Sequence, residues 1–195
     1  LNGNAKKEYD FGYLSNLVQG KGIVDFITSL HDLYKGGKRS KSLVVGGYRS
    51  DGTEEAVKSY LAKCPRDFID SIEFSGPLYG DDKAIQISKC KIFIFPTYID
   101  TFPLVLIEAL GLSLPCITYN EGATSEIVDD ELNGKVVGKG DKAALSQAML
   151  NYFQNEEIIN KHANNAREKY ENNYSITQFE GSLINIIEQC ISGND

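Results

Sequence analysis

The chain is poor in the residues that hold metals. Its two histidines, His31 and His162, stand alone in helical patterns, and Cys64, Cys90, Cys116 and Cys190 are far apart with no CxxC pair. Zinc and iron–sulfur sites need clustered ligands, so no metal site is expected. The cysteines read as buried thiols of a reducing cytoplasm, and the histidines as packing or surface residues. No apolar run approaches the roughly 20 residues that cross a bilayer, and nothing reads as a signal peptide. Positive charge is also scarce: 20 Lys and Arg against 27 Asp and Glu leave a net charge of −7. Such a surface repels nucleic acid, so no nucleic-acid partner is expected. Internal repeats, low-complexity tracts and long linkers are lacking as well.

What is there reads as a single globular domain. The 195 residues are 42% hydrophobic and 24% charged, enough to bury a core. The first residue is Leu1 rather than Met, as in a piece of a longer protein. Short apolar runs alternate with amphipathic stretches, the pattern of an α/β fold. We expect a Rossmann-like parallel sheet of about six strands with helices on both faces, one domain over residues 1–195. Strands are expected at 9–15, 42–47, 72–75, 91–96, 115–119 and 134–137, with the unbroken run Ile92-Phe93-Ile94-Phe95 marking a central one. Helices are expected at 22–34, 54–62, 81–88, 104–112, 142–153, 155–170 and 175–191, Pro103 opening the fourth from its first turn. The last carries an apolar stripe of Ile176, Phe179, Leu183, Ile186 and Ile187.

Ligands of an open parallel sheet bind beyond the carboxyl ends of its strands, so the loops there hold the candidates. Ser15 to Gly22 puts Asn16 and Lys21 near a helix start, either a phosphate site with Lys21 as point charge or a solvated turn. Gly46 to Gly52 lacks the spacing of a dinucleotide fingerprint and reads as an ordinary turn, with Arg49 as an extra cation near the crevice. Pro77 and Leu78 could form an apolar shelf for a base. Pro96 to Ala109 is the most informative. Asp100 stands at the mouth, suited to sugar hydroxyls or to capping the helix. Free amides of Leu104 and Val105 at the helix start would face a diphosphate. Glu108 interrupts the apolar stretch Leu-Val-Leu-Ile-Glu-Ala-Leu, and a carboxylate there needs a partner, which a ribose diol would provide.

The run from Asp100 to Leu110, then Leu114-Pro115-Cys116-Ile117, then Gly122 to Val128, resembles the signature block of retaining glycosyltransferases of family 4. That family has two glutamates separated by seven residues, a spacing kept here between Asp100 and Glu108. Tyr13 to Leu17 with Lys21-Gly22 is similar to its first strand and phosphate loop. Leu132-Asn133-Gly134 is similar to a turn after the block. The match has three departures. Asp100 replaces the usual glutamate, Asn16 stands where arginine is common, and Ser113 and Gly122-Ala123 replace a glycine and a Gly-Gly pair.

The resemblance implies the donor-binding half of a two-domain enzyme of the GT-B fold. It implies transfer of a sugar from a nucleoside diphosphate, of UDP or GDP type, to an acceptor hydroxyl with retention. Asp100 and Lys21 would be catalytic. Glu108, Asn16, Thr101, Phe102, Leu104, Val105, Pro77 and Leu78 would bind the donor nucleotide-sugar. No cofactor or metal is implied, since amides and lysine stand in for a cation. The expected partners are the donor and a glycan or lipid-linked acceptor. The acceptor would be held by an absent amino-terminal domain, against which the helix at 175–191 would pack. By analogy the setting is capsule, lipopolysaccharide or other polysaccharide biosynthesis in a bacterial cytoplasm. Peripheral contact with the inner membrane face is among the expectations, without a basic surface to mark it. The chain alone is expected to bind nucleotide and transfer nothing. Alternatives are a degenerate nucleotide-binding half, for which the changes at Asp100 and Asn16 speak, and a sugar-nucleotide epimerase, against which the Asp100/Glu108 block speaks. A phospho-receiver would need acidic residues in the loop that reads Ser15-Asn16-Leu17.

Overall fold

The computed structural model describes residues 5–192. Its strands are β1 (Tyr9–Leu14), β2 (Ser42–Val45), β3 (Ile72–Gly76), β4 (Cys90–Phe95), β5 (Cys116–Tyr119) and β6 (Gly134–Val137). They form one sheet in the order β3-β2-β1-β4-β5-β6, every neighbouring pair parallel. The helices are α1 (Ile23–Lys35), α2 (Thr53–Leu61), α3 (Arg66–Ile69), α4 (Gly80–Ser88), α5 (Leu104–Gly111), α6 (Thr124–Ile127), α7 (Lys142–Phe153), α8 (Glu156–Asn173) and α9 (Ile176–Ser192).

Alternation along each strand divides the core into two layers. Phe11, Tyr13, Val44, Ile92, Ile94, Ile117 and Tyr119 pack under α1, α2, α3 and α7. Leu14, Leu43, Val45, Phe93, Phe95 and Cys116 pack under α4, α5 and α6. α8 serves both, burying Ile159 in the first layer and Ala166 in the second. Burial on both faces is why the strands read as continuous apolar runs. The strand order reverses between β1 and β4. The loops that follow these two strands lead to helices on opposite faces, which opens a crevice at their carboxyl ends.

The expected elements are present, most with ends displaced by one to three residues. Three short pieces carry no period to read: a 3₁₀ turn at Gln19–Lys21, α3 and α6. Gly22 is the residue before α1, not its first, because it holds a left-handed φ of 75°. Pro103 likewise precedes α5, in extended conformation, instead of opening its first turn. Cys90 and Cys116 are buried, but Cys64 is half-buried and Cys190 exposed, correcting the expectation of four buried thiols. Cys190 lies on α9, which buries no residue within the described chain and leaves its apolar stripe open. His31 packs against Phe68 and Tyr60, and His162 against Tyr152, as packing residues. Among the described residues no helix is long and apolar enough to cross a membrane, and no group of three or more His, Cys, Asp or Glu is placed to hold a metal.

Candidate functional site

At the β1/β4 reversal the two informative loops meet. Lys21 ends the 3₁₀ turn after β1, and Asp100 lies on the loop after β4. Lys21 Nζ donates to Asp100 Oδ2 at 2.6 Å and to the Ile99 carbonyl at 2.8 Å. An ammonium has three donors, so one remains for a ligand. The contact depends on Gly22, where a Cβ would lie 1.9 Å from the Pro96 carbonyl oxygen. The loops are tied further by Tyr98 N donating to the Gly20 carbonyl at 2.9 Å, and by the Thr97 hydroxyl donating to the carbonyls of Gly20 and Ile99 at 3.3 and 3.1 Å. The Tyr13 hydroxyl, its pKa raised by burial, donates to the Lys21 carbonyl at 2.9 Å. From the other side Gly122, at φ 52°, comes so close to the Asp100 carbonyl that a Cβ would sit 2.0 Å from it.

Asp100 therefore caps nothing, and no side chain caps α5. The amides of Leu104 and Val105 donate to no protein group among the described residues. They stand with the positive end of the helix dipole as unpaired donors. The side chains around it are exposed: Phe102 at 45%, Leu104 at 64%, and Thr101 beside them.

Glu108 differs from its expected setting. α5 buries only Leu106, Ala109 and Leu110, so its apolar sequence is not a buried cylinder, and the Glu108 side chain is 43% exposed. It already has a partner: Lys83 Nζ, from α4, donates to its two oxygens at 2.7 and 2.8 Å. Nothing in the sequence linked these residues, which lie 25 positions apart on separate helices. Each carboxylate oxygen keeps a free lone pair, so the pair can still accept from a diol. Lys83, Glu108 and Val105 line a cavity of about 580 Å³, together with Leu14, Gly80, Tyr170 and Tyr174. Lys21 and Asp100 do not line it.

Asn16 Oδ1 accepts from Arg49 Nη2 at 3.1 Å, so the cation of the β2–α2 loop is tethered to the β1–α1 loop. Arg49 forms no ion pair among the described residues, whereas Lys21 and Lys83 both do. Pro77, exposed, and Leu78, half-buried, follow β3 at the same end of the sheet without entering the cavity. The structure thus joins Lys21 to Asp100, Asn16 to Arg49 and Glu108 to Lys83.

The family described as Glycosyl transferases group 1 matches residues 2–169. The capsular polysaccharide biosynthesis glycosyltransferase CapM of Staphylococcus aureus is 28% identical over 166 residues, 84% of this chain and 42% of that protein. The O-antigen chain mannosyltransferase C of Escherichia coli is 27% identical over 172 residues, 85% and 44% respectively. The chain thus spans less than half the length of these curated relatives. Among solved structures, Anabaena HepE in complex with UDP superposes with a TM-score of 0.81 at 17% identity, over 94% of this chain and 49% of that one.

Proposed function

The chain belongs to the glycosyl transferases group 1 family, and from that premise we propose that it is the donor-binding half of a two-domain sugar transferase. The whole enzyme moves a hexosyl group from a UDP- or GDP-sugar to a hydroxyl of a glycan or lipid-linked acceptor, with retention of configuration. The acceptor is held by a part of the protein beyond this chain, so the chain alone binds donor and transfers nothing. The exposed apolar stripe of α9 packs against that other part. Two relatives named for capsular polysaccharide biosynthesis and O-antigen chain transfer support a setting in surface polysaccharide biosynthesis. Peripheral membrane contact, if the acceptor is lipid-linked, falls to the other part, since α9 carries no basic residue.

The observation that supports this most is the Lys21–Asp100 pair on the loop that leads into the uncapped start of α5. Breaking the bond from sugar to diphosphate builds negative charge on the leaving oxygen. Fixed donors placed there stabilise it without reorganising. Lys21 offers its third N–H, the Leu104 and Val105 amides offer theirs, and Arg49, reached through Asn16, adds a second cation. These groups supply the positive potential, so the proposal includes no metal or cofactor. Asp100 orients the donor sugar through its hydroxyls, while Glu108 takes the ribose diol. Thr101 and Phe102 flank the sugar, and Pro77 and Leu78 bear on the base.

Calorimetric titration with UDP, GDP and ADP tests the reading. Saturable binding of one of them, weakened in Lys21→Met, is the expected result. No binding of any at millimolar concentration, in this chain and in the full-length protein, would remove it. A turnover assay of this chain with donor and acceptor should show no transfer, and the anomeric signals of full-length product should show retention.

A further inference from the structure

One buried charge takes no part in that scheme. Asp25, in the first turn of α1, is only 3% exposed. A carboxylate at that depth persists only when it is paired and hydrogen-bonded. Three elements besides its own helix provide this. Lys142 Nζ of α7 lies 2.7 Å from Oδ1, and the hydroxyls of Tyr98 and of Tyr119 on β5 donate to Oδ2 at 2.6 and 2.8 Å. The two tyrosine rings meet edge to face at 5.3 Å.

This hub is wired to the Lys21–Asp100 pair. Tyr98 holds the Gly20 carbonyl through its amide, and Gly20 adjoins Lys21. Ile99, the next residue, supplies the carbonyl that Lys21 donates to, and Asp100 follows it. Asp25 is itself four residues beyond Lys21 on the other loop's helix. An apolar side chain would pin α1 to the sheet at least as well, since a buried ion pair adds little to stability over well-packed hydrophobic groups. What the carboxylate adds is direction, fixing where the Tyr98 hydroxyl, and with it the loop, must sit.

We propose that Asp25 is a positioning residue that acts through Tyr98 to set the Lys21–Asp100 pair against the diphosphate of the donor. This rests on the donor-site reading above. Its consequence is local: the diphosphate end of the site depends on Asp25, and the Glu108 end does not.

The test uses this chain, Tyr98→Phe and Asp25→Asn, with calorimetric Kd values for the monophosphate and diphosphate of the preferred nucleoside. Tyr98→Phe keeps the ring and removes only the hydroxyl, and thermal unfolding reports whether each variant is folded. The expected result is a diphosphate bound about tenfold more weakly by Tyr98→Phe, with the monophosphate within about twofold of the parent. Asp25→Asn, if folded, should shift the same ratio in the same direction. Equal weakening of both nucleotides, the mark of a merely structural role, overturns the proposal, as does an unchanged ratio in folded Tyr98→Phe. If the parent chain binds neither nucleotide the same variants are read in the full-length protein, and no binding there either removes the donor-site reading and this proposal together.

Discussion

Replacing Glu108 by alanine separates its two prospective roles. In the free chain the carboxylate is 43% exposed and, among the described residues, paired with Lys83 alone. An ion pair in that setting contributes about 0–1 kcal/mol to stability, so Glu108→Ala should unfold within about 1 kcal/mol of the parent. Ligand binding should respond far more. A hydrogen bond to a charged group is worth about 1.5–3 kcal/mol, and the two ribose hydroxyls would make two. Sharing with Lys83 and partial exposure reduce this, leaving about 2 kcal/mol in total, or roughly 30-fold in Kd. The sharper assay compares the preferred nucleoside diphosphate with its 2′-deoxy form. The parent should prefer the ribonucleotide by about tenfold, and Glu108→Ala should lose the preference while binding both at the weaker level. A variant that discriminates as sharply as the parent, or binds the ribonucleotide within about twofold of it, would refute the assignment of the diol to Glu108.

Three further outcomes bear on the scaffold. Ser113 sits at φ 57°, a left-handed conformation that costs an L-residue about 1–2 kcal/mol. After the entropy glycine loses on folding, Ser113→Gly should gain about 0.5–1 kcal/mol and raise Tm by about 2–3 °C, and an unchanged or lower Tm would contradict this. Gly22→Ala, whose methyl would meet the Pro96 carbonyl, should lose at least about 2 kcal/mol in denaturant unfolding and weaken diphosphate binding; parental stability would show that the loops can part. Burial lowers the pKa of both His31 and His162, so each takes up a proton less readily in the fold than in the unfolded chain, which does so near the ordinary value of 6.5. Stability should therefore fall as pH drops below about 6.5, by at most about 1.4 kcal/mol per pH unit for each histidine, until the lowered pKa values are passed. Unfolding of His162→Gln between pH 7.5 and 5 should show a shallower decline, and an equal slope would clear His162 of the effect.

Much of this architecture was legible because it is written in local periods. Ile92 to Phe95 could only be a strand buried on both faces, and Ile23, Phe26, Ile27 and Leu30 could only share one side of a helix. α3 and α6 were not legible, being four residues each and shorter than a readable period. The Lys21–Asp100 contact was half legible: both residues were chosen from their loops, but only the sheet order puts them 2.6 Å apart. Lys83 and Asp25 were missed for one reason. Their roles depend on partners brought by tertiary contact, Glu108 for the first, and Tyr98, Tyr119 and Lys142 for the second. On its own helix Lys83 is an ordinary polar residue, and Asp25 resembles a first-turn acid attracted to the helix dipole. The burial expected of Glu108 does not follow from its neighbours, since an apolar helix sequence does not require that all its sides be covered. α9 repeats that lesson, with a full apolar stripe of which nothing is buried among the described residues.

The reversal of strand order also sets a timetable. β1 is made first yet lies in the middle of the sheet, with β2 on one side and β4 on the other. Phe93 of β4 pairs with Gly12, which leaves the ribosome about 80 residues earlier. At about 5–20 residues per second, the inner edge of β1 waits roughly 4–16 s for its second neighbour. Until then a row of unpaired amides and carbonyls, flanked by Tyr9, Phe11 and Tyr13, stands open to any other nascent chain. Lys21 and Asp100 come within reach of each other only when that gap closes. On the proposed donor-site reading, completion of the nucleotide site and closure of the open strand edge coincide, and donor present during synthesis would favour the closed sheet by mass action.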